Sequence, residues 1–379
     1  MNILVFNQSF FPLSETFVHR QVLGLSRSHD VTMLTYRYEN EDKFPIAVKK
    51  ELLVHYRGFF DKLITKVLRK VAGQGYKLSF QNRALVAKLL QSRHIDVIHA
   101  HFGPSGIEML PVAKKLGIPM VVSFHGIDAA PAMLNNQEYA DGIREVIAYA
   151  KAVIIVSPHF MDTLGLQPFA GKVHLIPYGT DERKFVPSHT PERAKVVIQH
   201  VGRLVPKKGV PDLIQAFGAL CGRHPELELR IIGDGPEMEA CRELVARLNL
   251  GEKVVLLGSK AHEIVNQHMK DADIYVLNSR TDDQGDMEGL PNSILEAMSM
   301  EKPVVSTYHA GIPQAIQDGE NGLLVGERDN EGLAAALEKL IRDPDLRRRL
   351  GVAARKTVVA HFSADAMETK IRSVFAGLS

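Results

Sequence analysis

Short apolar runs alternate with amphipathic stretches along almost the whole chain. In the first half, "NILVF", "VTMLTY", "IDVIHA", "PMVVSF", "KAVIIVS" and "KVHLIP" carry apolar residues on successive positions, as strands buried on both faces do. Between them, segments 14–28, 76–93 and 104–116 place apolar residues at helical spacing. The rhythm then restarts with "AKVVIQHVG", "LELRIIG", "KVVLLG", "DIYVLNS", "KPVVST" and "NGLLV", and helices are expected over 211–221, 236–249, 261–270, 291–300 and 329–342. Repeated strand–helix units predict parallel sheets covered by helices on both faces. Two such series predict an α/β chain of two doubly wound, Rossmann-like domains. The tract "YGTDERKFVPSHTPERAK", 178–195, is rich in proline and charge and lacks a period, so it reads as the boundary between domains over 1–180 and 195–359. A last segment, 363–378, starts from Ser363 as N-cap and lines up Met367, Ile371, Val374, Phe375 and Leu378 on one face. That face needs a surface to pack on.

Composition narrows the class. The chain has 379 residues, 45% apolar and 24% charged, which suits a soluble protein with sizeable cores. A net charge of +2 gives no reason to expect nucleic acid, and no helix-turn-helix or RNA-binding signature accompanies the basic residues. Cys221 and Cys241 cannot build a disulfide framework, no signal-peptide pattern opens the chain, and no apolar run approaches about 18 residues. The expected compartment is therefore the reducing cytoplasm. Charge is unevenly spread: segment 55–95 holds Arg57, Lys62, Lys66, Arg69, Lys70, Lys77, Arg83, Lys88 and Arg93 against a single acid, Asp61. Within it Phe59, Phe60, Leu63, Ile64, Val67, Leu68 and Val71 recur at helical spacing. Such a helix over 57–71 either lies on an anionic membrane surface or covers its own domain.

In open parallel sheets ligands bind beyond the carboxyl ends of the strands, so chemistry is sought in the loops that follow strands, and with two such domains in the cleft where those edges face each other. "VGRLVPKKGVPDL" sets Arg203, Lys207 and Lys208 between a strand and a helix whose first turn holds Pro211, a place for phosphate. "DMEGLPNSILEAM", 286–298, puts Glu288 on a loop. Glu296 falls inside a helix expected from Pro291 to Met298, on its polar side with Asn292 and Ser293. Two carboxylates flanking a helix N-terminus suit a ligand with polar ends and an anionic middle. "IIGDGP", with Gly233 and Gly235, reads equally as a close-approach loop or a plain tight turn, and "LLGSK", with Gly258, Ser259 and Lys260, is a strand end whose backbone could read a flat base. "VIHAHFGPSG" places His99 and His101 on one face of a strand end, and "SFHGID" sets His125 and Asp128 just past the next strand. These suit a polar cleft wall better than a metal centre, since neither H-E-x-x-H nor a cysteine pair is present. Ser14, in "FPLSETF", reads either as an ordinary N-cap or as part of a loop closing over the ligand. No Walker loop occurs and no G-x-G-x-x-G follows the first strand, which argues against kinase-like and dinucleotide-oxidoreductase readings.

Taken together, "GRLVPKKG", "GDGP", "EGLPNSILEAM", "KPVVST", "HAGIPQAIQDGENGLLV", "FPLSETF", "HAHFGPSG" and "SFHGID" resemble the GT4 retaining glycosyltransferases, particularly those of the colanic-acid and amylovoran exopolysaccharide type, over nearly the whole chain. The resemblance implies the GT-B fold, two Rossmann-like domains facing across a cleft, with a C-terminal helix, 360–379, crossing back to the first domain. It implies that Arg203 and Lys208 hold the donor diphosphate, that Glu296 meets the ribose and Glu288 the transferred sugar, and that backbone at Gly289, Leu290 and Asn292 cradles phosphate and sugar. His125 matches a histidine lining the sugar pocket. The candidate catalytic set is therefore Glu288, His125, Arg203 and Lys208, and Gly233, Gly235, Gly258, Ser259 and Lys260 join the donor side. His99, His101, Asp128 and Ser14 form the acceptor side. The implied partners are a nucleotide sugar, UDP favoured over GDP, and a saccharide or lipid-linked saccharide acceptor, with no metal or other cofactor and a peripheral place at the membrane. A GT-B nucleotide-sugar epimerase, a noncatalytic sugar-binding subunit and a metal hydrolase built on His99 and His101 are the competing readings. Two departures stand out: "SETF" replaces the double glycine common after the first strand, and Asp282, Asp283 and Asp286 crowd the approach to Glu288.

Overall fold

A computed structural model describes residues 1–12, 15–55, 58–72, 78–188 and 195–378. The chain divides into two compact units, Met1–Pro177 with Met367–Ser379, and Tyr178–Ala366. The first unit contains β1 (Asn2–Phe6), β2 (Ser9–Phe10), β3 (Asp30–Thr35), β4 (Arg37–Tyr38), β5 (Lys49–Leu52), β6 (Val97–His101), β7 (Met120–Phe124), β8 (Ala152–Ile155) and β9 (Val173–Leu175). Seven of these form one parallel sheet in the order β5-β3-β1-β6-β7-β8-β9, and β2 pairs with β4 apart from it. The second unit contains β10 (Val196–Val201), β11 (Leu227–Ile232), β12 (Val254–Gly258), β13 (Ile274–Leu277), β14 (Val304–Thr307) and β15 (Leu323–Val325), parallel in the order β12-β11-β10-β13-β14-β15. Both are doubly wound α/β sheets, and their direction of winding reverses between β1 and β6 and between β10 and β13.

Alternation along single strands explains why both faces carry helices. In β13, Ile274 and Val276 enter one apolar cluster with helices Val210–Cys221, Met238–Arg247 and Asn330–Arg342, while Tyr275 and Leu277 enter the other with helix Asn292–Ser299. The tract expected as boundary is not free: Phe185 lies in that second cluster, and Thr180 pairs with Ser363. One buried aromatic side chain is enough to seat a polar segment, and residues 189–194 of the tract lie outside those described. In the first unit, Phe375 of helix Ala364–Ala376 meets His99 edge-on at 5.4 Å, and Glu368 takes an ion pair from Arg27 at 2.7 Å.

Among the elements beyond those expected are the following three. Strand β5, "KKEL", is an exposed edge with no apolar run to reveal it. Helix Gln137–Tyr149 buries Tyr139, Ile143, Val146 and Ile147. Helix Pro344–Thr357 packs partly through Gly351 and Ala354, and a Cβ on Gly351 would overlap the carbonyl of Glu301, so close backbone approach replaces the apolar signal.

The basic helix, Phe59–Ala72, is inverted relative to ordinary amphipathic packing. Asp61 and Thr65 face inward at 1% and 2% exposure, whereas Phe59 and Phe60 are each 74% exposed, with Leu63, Ile64 and Val67 beside them. The reason is capping. Asp61 accepts the N–H of Gln81 at 3.0 Å, Thr65 that of Phe80 at 3.2 Å and Ser79 that of Asn82 at 3.2 Å, so these side chains satisfy the first turn of helix Phe80–Ser92. The helix thus covers its own unit with its polar side. Among the described residues no helix is long and apolar enough to cross a membrane.

Candidate active site

The crevice beyond β10 and β13 is where a doubly wound sheet offers room for a ligand. The chain leaves β10 through Gly202–Gly209 into helix Val210–Cys221, and leaves β13 through Asn278–Pro291 into helix Asn292–Ser299, with Pro291 as N-cap rather than first helical residue. The two loops are laced together. Asn278 donates from Nδ2 to the carbonyl of Gly209 at 2.7 Å, the N–H of Arg280 reaches the carbonyl of Lys207 at 2.9 Å, and Arg280 pairs with Asp212 at 2.6 Å. This brings Lys208 Nζ to 3.2 Å from Glu288 Oε2, and Lys207 Nζ to 2.8 Å from Asp286 and 3.8 Å from Glu288 Oε1.

Burial pushes the Glu288 carboxyl up, but Lys208 and then Lys207 outweigh it and hold the group below the usual carboxylate range, so it is ionised. Its Oε1 is buried without a hydrogen-bond partner, and so is Oδ1 of Asn292. The N–H groups of Gly289 and Leu290 likewise find no partner among the described residues. Arg203 is exposed just after β10, and its guanidinium has no hydrogen bond or ion pair among the described residues. Unused acceptors and unused amides at one helix N-terminus, with an unpaired arginine after the neighbouring strand, constitute a place for an anion bearing hydroxyl groups.

Other expected donor residues sit around this centre. Glu296 is nearly buried on the helix, with His262 Nε2 at 4.0 Å. Gly258 ends β12, and Ser259 and Lys260 follow it, both exposed. Gly233 and Gly235 have φ of 146° and 156°, and a Cβ on either would overlap the carbonyl of Gly202 or Leu204. Their missing side chains are thus used by the Arg203 loop itself, which rests on them.

In the first unit, Ser14 lies outside the described residues, and the remaining acceptor candidates are more enclosed than a cleft wall requires. His99 is fully buried, bonded through Nε2 to Ser123 Oγ at 2.8 Å and packed on Phe375. His101 is also buried, its Nδ1 3.0 Å from Nε2 of His125, which packs against the rings of Phe17 and Phe102. Asp128 accepts the N–H groups of His125, Gly126 and Gly103 at 2.9, 2.9 and 3.0 Å and is 1% exposed. Its carboxylate thus joins its own loop to the first turn of helix Gly103–Leu116. Among the described residues no three His, Cys, Asp or Glu side chains gather as metal ligands.

Burial, the largest cause in each case, pushes His99, His125 and His200 down to about 3. These imidazoles stay neutral in the fold, while the unfolded chain protonates them below about 6.5. Stability is therefore complete above that value and falls as pH drops from about 6.5 toward 3, by up to roughly 1.4 kcal/mol per pH unit for each ring. The melting temperature should fall on acidification to about pH 5, and a constant or rising one would contradict the buried neutral rings.

Three residues of the second unit were not singled out in the sequence. His200 on β10 donates from Nδ1 to the carbonyl of Val276 at 3.2 Å, leaving Nε2 buried without a hydrogen bond beside the Lys208 stem. His309, after β14, and Glu327, after β15, bond to each other at 2.6 Å, and the N–H of Glu288 donates to His309 at 3.0 Å. The tract quoted for its resemblance, "HAGIPQ", contained His309, but nothing local marks its partners.

Solved structures define the class. The chain matches the crystal structure of Anabaena Alr3699/HepE in complex with UDP at TM-score 0.80 and 19% identity, covering 100% of both chains. It also matches sucrose-phosphate synthase from Thermosynechococcus elongatus at TM-score 0.74 and 20% identity, covering 100% of this chain and 99% of that one. Two doubly wound units with a switch-point site of this kind are the GT-B glycosyltransferase fold. Residues 14–184 match the family model described as Glycosyltransferase Family 4, and residues 181–357 match Glycosyl transferases group 1. The putative colanic acid biosynthesis glycosyltransferase WcaL of Salmonella typhimurium is 30% identical over 96% of this chain and 97% of its own. The amylovoran biosynthesis glycosyltransferase AmsK of Erwinia amylovora is 30% identical over 90% of each. The chain belongs to glycosyltransferase family 4.

Proposed function

We propose that the protein transfers a hexose from a nucleoside-diphosphate sugar, UDP favoured and GDP second, to a saccharide acceptor in exopolysaccharide synthesis, with retention of anomeric configuration. The observation that carries this is Glu288 Oε1, Asn292 Oδ1 and the Gly289–Leu290 amides, none of them hydrogen-bonded among the described residues, beside Lys207 and Lys208 and one strand over from exposed Arg203. Arg203, Lys208 and the amides take the diphosphate, Glu288 faces the sugar, and Glu296 meets the ribose. When the anomeric carbon–oxygen bond breaks, charge grows on the departing phosphate, and fixed cations and amides stabilise it without reorganising. The acceptor oxygen bonds to the anomeric carbon from the same face, and its proton passes to the departing phosphate oxygen. Glu288, held by Lys208, supports the positive sugar electrostatically and forms no covalent bond. The wider relatives named for colanic acid and amylovoran synthesis support the polymer context. Nothing in the site favours an epimerase.

A thermal-shift panel of UDP, GDP and ADP with their sugars tests this, because a ligand bound only by the folded state raises its stability. UDP or UDP-sugar should give the largest shift. Arg203→Ala should weaken that binding by about 1.5 to 3 kcal/mol, the worth of a charge-assisted hydrogen bond. A panel with no shift at all would defeat the reading.

The membrane contact is part of the same proposal. Phe59, Phe60, Leu63, Ile64 and Val67 stand outward with Lys62 and Lys66 exposed among them, and the segment's only acid is turned inward, so the face offered is apolar and cationic. That chemistry fits an anionic lipid surface, where a lipid-linked acceptor would reside. The protein should sediment with vesicles rich in phosphatidylglycerol and not with neutral ones, and Lys62→Glu with Lys66→Glu should weaken this at least about fivefold per lysine. Equal binding to neutral vesicles, or self-association through the Phe59–Phe60 face instead, would refute it.

A further inference from the structure

The loops at the carboxyl edge of the second sheet are joined in one lateral chain. Glu327 follows β15, His309 follows β14, Glu288 follows β13 and Lys208 follows β10, and each is bonded to the next. His309 is fully buried in this chain, and neither the diphosphate contacts nor the sugar contact described above uses it.

Hydrogen-bond accounting assigns its tautomer. Glu327 is a carboxylate, an acceptor only, so the nitrogen facing it, Nδ1, carries the proton. The nitrogen facing the peptide N–H of Glu288 must accept, so Nε2 carries the lone pair. Glu327 is itself oriented by the N–H of Thr281, which donates to its other oxygen at 2.8 Å.

The bond to Glu288 sets more than one atom. In a trans peptide the N–H and C=O point to opposite sides. With the Glu288 N–H aimed at His309, the Met287 carbonyl of the same peptide points away from it and accepts Lys207 Nζ at 3.3 Å. One residue further, the Gly289 carbonyl accepts the N–H of Gly311 at 3.1 Å, which turns the Leu290 N–H of that peptide to the opposite side, where it is unpartnered. Glu288 is thus clamped on both flanks from the loop that carries His309.

We propose that His309 is a positioning residue for sugar transfer: locked by Glu327 as the Nδ1–H tautomer, it fixes the Met287–Glu288 peptide plane, and thereby the Glu288 carboxylate and Lys207. The inference rests on the proposed role of Glu288 beside the sugar. Tautomer and peptide plane act on where the carboxylate stands when charge develops, so the effect belongs to turnover rather than to donor capture.

The test pairs two substitutions with one spectroscopic measurement. In H309Q the side-chain oxygen reaches the place of Nε2 and can accept the Glu288 N–H, whereas in H309N the amide reaches only the place of Nδ1 and can still meet Glu327. H309N is expected to lower kcat on the order of thirtyfold with KM for the nucleotide sugar changed less than about threefold, and H309Q to lose roughly tenfold less. Equal kcat losses in the two variants, or a loss seated in KM, overturn the proposal. The ring ¹⁵N shifts of His309 in the unaltered protein should show Nδ1 protonated and Nε2 bare, and E327Q should blur that assignment by offering a donor as well as an acceptor. A protonated Nε2 in the unaltered protein overturns it without any variant having to fold. Failure of the unaltered protein to bind nucleotides or transfer sugar would instead strike the proposed function, and the ring shifts would still report the geometry.

Discussion

Glu288→Gln is expected to lower sugar transfer on the order of a hundred- to a thousandfold while changing nucleoside-diphosphate affinity less than about threefold. The amide keeps the shape of the carboxylate and can still bond Lys208 through its oxygen, so the loop should hold. What is lost is a full negative charge in a site where Lys207 and Lys208 already hold it ionised against burial. That charge matters most when the sugar turns cationic, which happens only in the transition state, and so the loss appears in kcat. Single-turnover transfer measured beside UDP binding separates the two quantities. Equal losses in both would move Glu288 from the sugar to the nucleotide.

Lys208→Ala is expected to do the converse and more. If Lys208 holds the diphosphate as proposed, the substitution costs one charge-assisted contact, about 1.5 to 3 kcal/mol or roughly ten- to a hundredfold in donor affinity. It also removes the strongest influence holding the Glu288 carboxyl down, while burial, which pushes it up, stays. In the intact protein the depressed value means that Glu288 is ionised throughout the neutral range, and the stability it contributes is lost only as pH falls through the folded value. In the variant the carboxylate takes up a proton at higher pH, so the acid limb of the pH–rate profile should move toward neutrality. An affinity loss with an unmoved acid limb would show that Lys208 serves the diphosphate alone.

The strands were readable because each is buried on both faces, which writes a continuous apolar run into a short local stretch, as in "VVIQHV" and "IYVL". Helix Pro344–Thr357 was not, since beside Leu346 and Leu350 the rest of its buried face, Gly351 and Ala354, packs by closeness rather than by apolar bulk. Glu288, Lys208 and Arg203 were each legible as charges after strands. The sequence sets Asp128 just past a strand, where ligand contacts are sought, whereas its three amide bonds, two within its own loop and one to Gly103, follow from the tertiary fold. The helix Phe59–Ala72 showed its two faces in sequence but not which one points inward, because that depended on the first turn of another helix needing caps.

By itself, the sequence determined two doubly wound sheets, the loops that follow their strands and the charges on those loops, since period, turn residues and side-chain type are local properties. Tertiary structure alone decided that Lys208 faces Glu288, that Glu288 hangs from His309 and Glu327, and that two apolar rings of a basic helix stand in solvent. Each of these pairs residues from different strand ends or different helices. Their partners are chosen by sheet order and by which backbone groups remain unsatisfied, and neither is written in any neighbouring residue.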